Sequence, residues 1–168
     1  MAEIPVLALA SPRWVDLAPD YPMLVPDLLA RLRHAPYEGD WAEAYEQCVH
    51  QRTLSRVAYA AVPHLLRLAC VQNRWWDPWF LFMLGWVAAP TNAPDGPVPA
   101  DLADGFRRAV AHAARLSMRA IRRKRYDERD FTLVLSAAAN LNGRPAAANL
   151  MESLATSLIF NLFVVVGD

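Results

Sequence analysis

Only two of the 168 residues are cysteine, too few for a disulfide framework and no reason to expect an oxidising compartment. Net charge is also missing. Seventeen Lys and Arg balance seventeen Asp and Glu, so there is no global attraction to nucleic acid or to an anionic membrane. No apolar run reaches the roughly 20 residues of a spanning helix. WWDPWFLFMLGWVAAP and SLATSLIFNLFVVV each hold about a dozen apolar positions and read as buried core helices, with no membrane span. The N-terminus, MAEIPVLALASPRW, has no basic leading segment and is broken by Pro5, which argues against a secretory signal and makes the cytoplasm the expected location. A Gly-rich phosphate loop, a Ser–His–Asp signature and a paired-acid arrangement are all lacking. The chain is therefore expected to be non-catalytic, with no cofactor.

What is present describes one globular domain, 55% apolar and 20% charged. Residues 1–25 carry Pro5, Pro12, Pro19 and Pro22, too many for a continuous helix, and read as an extended arm packed down by Ile4, Val6, Leu7 and Trp14. Residues 26–168 read as helices. DLLARLRHA follows Pro26, and Asp40 with Glu43 forms an acidic capping box for WAEAYEQCVH. Thr53 is the expected cap of the next helix. There Leu54, Val57, Ala58, Ala61, Val62, Leu65, Leu68 and Ala69 form one apolar stripe. Pro63 falls about 180° from Leu54, on the side expected to face outward. Asp77 and Pro78 open a helix to about Ala88, and APTNAPDGPVP is a proline-rich loop with the character of a flexible insertion. A long helix begins near Asp101, with Leu102, Phe106, Ala109, Val110, Ala113, Ser117, Ala120 and Ile121 on its inner face. Asp130 is the expected cap of FTLVLSAAANL, Asn142-Gly143 its left-handed end, and Pro145 lies in the first turn of a final helix. VLAL and FVVV are too short to argue for a sheet. The expectation is an all-α chain of about seven helices.

Cys48, His50, His64 and Cys70 invite a metal or thiol reading, but their spacing and helical angles scatter them, so neither a metal site nor a Cys48–His50 nucleophile is expected. His50 and Gln51 read as turn-fixing residues. Residues 107–129 hold nine Arg or Lys against Asp127 and Glu128. Arg119, Arg122, Arg123, Lys124 and Arg125 concentrate that charge at a helix C-terminus, where it also matches the macrodipole. The cluster is read as lacking aromatic neighbours beyond Tyr126. Trp79 and Trp86, with Phe82 and Met83, are assigned to the core. Trp75 and Trp76, in a loop, are candidate interface anchors.

The stretch GDWAEAYEQCVHQRTLSRVAYAAVPHLLRLA, with Trp41, Cys48, His50, Gln51, Tyr59, Pro63 and His64, resembles a group of bacterial HEAT-like proteins. VLSAAANLNGRPAAANLMESL is similar to the alanine-rich helix, glycine turn and helix that close them. The likeness covers about residues 38–155 and departs at Arg52, where the group places Gly, and at Asn142, where it places Arg. The resemblance implies a short right-handed α-solenoid of HEAT-like helix pairs that binds partners along a concave face or an edge. Some such proteins are taken as immunity proteins encoded beside bacterial toxins.

The expected function is thus protein binding, with an immunity protein occluding a cognate toxin as its specific form. Glu38, Asp40, Glu43 and Glu46 suit a basic toxin cleft, whereas Arg119 and Arg122 to Arg125 suit an acidic face. The alternative is nucleic-acid binding through the basic helix 107–125. The tail LIFNLFVVV is a candidate homodimer contact.

Overall fold

A computed structural model describes residues 4–17, 24–34, 38–50, 53–89 and 97–154. Gln51, most of the proline-rich loop and the LIFNLFVVV tail lie outside the described residues. Seven bounded helices are followed by an eighth over 145–154, and a two-residue antiparallel ladder is the one strand pairing among the described residues. The described residues are all-α apart from that ladder.

The arm is extended only as far as Ala8, whose carbonyl accepts from the Ser11 N–H at 2.9 Å across a turn. Helix α1 (Arg13–Leu17) then forms, with Ser11 Oγ accepting from the Arg13 N–H at 3.2 Å just before its first turn. Trp14 is buried, and its indole N–H donates to Ala8 O at 3.0 Å. Further along the arm, Leu7 O accepts from His64 Nε2 at 2.7 Å, and Ile4 joins the core. A Cβ at Gly105 would collide with Pro5 O, so the glycine lets the arm lie against the long helix. Arg13 closes the same junction through Asp101 at 3.0 Å.

Helix α2 (Leu24–His34) starts earlier than expected, because Pro26 in a first turn lacks only an N–H that has no intrahelical partner. Its buried Val25, Leu28, Leu29 and Leu32 follow the helical period. Helix α3 (Glu38–Cys48) begins before Asp40, so Asp40 is not its cap. Asp40 and Glu43 instead accept from Arg31 on α2, at 3.2 and 2.8 Å. A guanidinium from the neighbouring helix competes successfully for both carboxylates.

Thr53 caps no helix. Strand β1 (Val49–His50) pairs with β2 (Thr53–Leu54), Val49 opposite Leu54 and His50 opposite Thr53. Burial of Val49 and a Ser55 N–H to Cys48 O bond of 3.0 Å hold this hairpin. Helix α4 (Ala58–Val71) follows without a side-chain cap. Pro63 does not face outward: it is buried, as is every residue from Ala58 to Pro63. Consecutive helical residues are 100° apart, so such a run leaves no solvent face in the first half of α4. The helix packs against α2, α3, α5 and α6, and the arm reaches it at His64, so it has neighbours beyond the one that a single stripe would need.

Helix α5 (Pro78–Ala88) starts as expected, Asp77 Oδ1 accepting from the Phe80 N–H at 3.1 Å. Helix α6 (Ala103–Arg123) buries Phe106, Ala109, Ala113, Ser117 and Ala120, while Val110 and Ile121 are half-buried at its edge. Helix α7 (Glu128–Leu141) is capped by Asp127, whose Oδ1 takes the Asp130 N–H at 2.7 Å; Asp130 is the capped residue, not the cap. Gly143 has φ +70°, the left-handed end expected after Asn142, and α8 runs over 145–154.

Packing follows two rows. Helices α2, α4 and α6 touch in succession, as do α3, α5 and α7, and each odd helix also meets the even one before it. Helix α5 lies close on α7, where a Cβ on Gly85 would stand 2.7 Å from Ala137 Cα. Gly85→Ala is expected to lower stability by about 1–3 kcal/mol, as overpacking does, read as a lower denaturant midpoint with an unchanged slope. Burial also holds the His64 and His112 pKa values below the ordinary histidine value of about 6.5, so the unfolded chain takes up protons first as pH falls. Their stabilising contribution is complete above about pH 6.5 and is lost below it. The denaturant midpoint should fall between pH 7 and pH 5, and His64→Gln should shallow that decline.

Candidate functional site

The outward face of α6 presents Arg115, Met118, Arg119 and Arg122 at spacings of three and four residues, opposite the buried Ala113, Leu116 and Ala120. With Arg123, and with Asn142 from the end of α7, they enclose an open groove of about 440 Å³. Charge along the helix divides in two. Near its start Arg107 and Arg108 both pair with Asp104. Among the described residues Arg115, Arg119, Arg122 and Arg123 pair with no carboxylate. Four arginines thus line one concavity, and guanidinium forks have the geometry to pair with carboxylates or phosphates.

The groove is not isolated from aromatic side chains. Arg119 Cζ lies 4.7 Å from the centre of the Trp75 ring, and Lys124 Nζ lies 4.4 Å from that of Trp76 and 5.9 Å from that of Trp75. The two tryptophans are half-buried beneath these cations instead of standing free. The turn after α4 places them. Asn73 adopts φ 55°, a conformation asparagine tolerates better than most residues, and its Oδ1 accepts from Trp75 Nε1 at 3.2 Å. Tyr126 OH donates to Trp76 O at 2.6 Å, and burial, with help from Asp77 and Asp130, pushes its pKa up to about 12. Arg125 is exposed at the end of the same segment. The signal that would have joined these residues is the Trp-Trp pair ahead of the Asp77 cap, but its partners lie more than forty positions away.

A second concavity, of about 400 Å³, opens between α3 and α5. Trp41, Tyr45, Leu65, Phe80 and Met83 form its walls, and Trp79 stands at its mouth. Trp79 is 48% exposed with Arg129 over its ring at 5.2 Å, so it is not a core residue, whereas Trp86 is buried as expected. Trp41 meets Phe80 edge to face at 5.6 Å. Among the acidic candidates, Glu46 lines this cleft, Asp40 and Glu43 hold Arg31, and the side chain of Glu38 lies outside the described residues.

Among the described residues the histidines and cysteines form no cluster larger than a pair. No group of three or more His, Cys, Asp or Glu with metal-binding geometry occurs among the described residues. The His50 side chain lies outside them, and His64 is committed to Leu7 O. Cys48 is buried, which drives its thiol up to about 12, far from the thiolate that a nucleophile requires. The close pair is Cys70 Sγ with His112 Nε2, at 3.9 Å. Arg115 Nη2 donates to His112 Nδ1 at 3.3 Å, which leaves the proton on Nε2. The imidazole therefore presents Cys70 with a donor and not a base. A thiol-specific reagent should label the half-buried Cys70 in the native protein and reach Cys48 only after denaturation, one thiol becoming two.

No helix among the described residues is long and apolar enough to cross a membrane. Comparisons with protein-family models, with curated proteins and with solved structures find no match to this chain.

Proposed function

We propose that the protein is a non-catalytic binding module whose working surface is the arginine groove of α6, and that its partner is an acidic face of another protein. The observation that carries this reading is the set of four arginines, unpaired with carboxylates among the described residues, around one open concavity. A nucleic-acid partner is less well served. Single strands are held by bases stacking on open aromatic faces, and the Trp75 and Trp76 faces already carry Arg119 and Lys124. A net charge of zero also supplies no long-range pull toward a polyanion.

The framework we propose is a short α-solenoid of HEAT-like pairs, a reading supported by the two rows α2–α4–α6 and α3–α5–α7. In the specific form implied by the resemblance, the partner is a toxin encoded next to this protein, and binding covers its active site or access path. Titration with the product of the neighbouring reading frame tests this. Arg119→Glu with Arg122→Glu should weaken binding by roughly 10- to 100-fold while the fold is retained, with about 1–2 kcal/mol of stability lost through the Trp75 contact and the helix dipole. Unchanged affinity in the double variant would sink the groove reading. Tight binding of a mixed-sequence oligonucleotide, falling steeply with salt, would replace the protein partner with nucleic acid.

A further inference from the structure

We propose that the cleft between α3 and α5 is a separate binding site for a neutral aromatic small molecule of about one or two fused rings. Its volume of about 400 Å³ lies in the range of small-molecule sites, roughly 300–1,000 Å³. The chemistry of the walls selects the ligand.

Every charged group at the cleft is already engaged. Arg74 pairs with Asp77 at 3.1 Å, and the other Asp77 oxygen holds the Phe80 N–H at the start of α5. Tyr45 and Glu46 also have partners of their own. The Trp41 indole N–H is an unspent donor but is buried below the cleft surface, so an occupant meets the ring and not the N–H. A charged ligand would strip one of these groups of its partner or remain unpaired itself, and either outcome is costly in a weakly polar recess. A neutral ligand loses little water and disturbs none of these pairs.

The remaining surface favours rings over aliphatic chains. Trp41 meets Phe80 edge to face and carries Arg74 over its ring at 5.5 Å, so a ligand ring would pack on the side of the pair that Arg74 leaves open. The Met83 thioether lies deeper and adapts well to aromatic neighbours. Trp79, half-exposed among the lining residues, is held edge to face on Phe82 at 6.2 Å, and its ring would gain burial when the cleft fills. The site shares no lining residue with the arginine groove, so it stands independently of the proposed protein partner.

Indole is the probe, titrated into the full chain with binding followed by ligand-observed NMR and by the indole N–H signals of ¹⁵N-labelled protein. Saturable binding below about 1 mM is expected, with the Trp41 and Trp79 signals shifting and that of the buried Trp14 fixed. Ala42→Trp, at an exposed position on the cleft wall, should fill the site and weaken indole binding by at least about tenfold. Arg122→Glu should leave it unchanged. Absence of saturation, or shifts confined to other tryptophans, overturns the proposal. Equal affinity in a folded Ala42→Trp variant does the same. Should Ala42→Trp fail to fold, the pattern of tryptophan shifts in the unaltered protein decides alone.

Discussion

Burial of α4 through its whole first half constrains where the other helices can put their polar groups. Six consecutive residues, Ala58 to Pro63, are inaccessible, so solvent never reaches that part of the helix. Three of them are alanines, and their small side chains let α2 and α6 approach closely. The N-terminal arm is part of the same arrangement. Leu7 O accepts from His64 on α4, and Pro5 O lies against Gly105 on α6. With α4 enclosed, the polar face of α6 must point away from the core.

That outward face is where the charge of the molecule becomes uneven. Asp104 takes both arginines near the start of α6, while the arginines from position 115 onward have no acid to pair with among the described residues. Two kinds of local order then act on the C-terminal half. The helix dipole favours positive charge there, and the tryptophan faces hold Arg119 and Lys124 in place. Of the groove arginines Arg119 is held in this way, and a cation so held loses less side-chain entropy on meeting an anion than a free one does. The α3–α5 cleft is the opposite case: its charged groups are engaged internally, and its walls are mainly apolar.

The local chemistry of several elements was legible in the residues. Asp77 followed by Pro78 starts α5, Asn142-Gly143 ends α7, and the periodic stripe from Leu102 to Ala120 marks the inner face of α6. Each depends on side chains and backbone within a few positions of one another. Where a distant group competed, the local reading failed. Asp40 and Glu43 had the spacing of a capping box, but Arg31 on another helix claimed both carboxylates. Thr53 had the composition of a cap and became part of a two-residue ladder closed by Val49. A one-face stripe implied that Pro63 looked outward, but the helix had neighbours on that side too.

The candidate sites divide along the same line. Composition and period by themselves determined an all-helical chain, a basic segment ending in Arg122–Arg125, and an aromatic concentration around Trp75–Trp86, because propensity, charge and spacing are properties of short segments. Tertiary packing alone decided that Lys124 and Arg119 lie over Trp76 and Trp75, that Trp79 stands at the mouth of a cleft, and that the close cysteine–histidine pair is Cys70 with His112. Those contacts join residues forty or more positions apart or depend on how α3 meets α5. Their geometry follows from which helices share a core, and no short stretch of sequence carries that information.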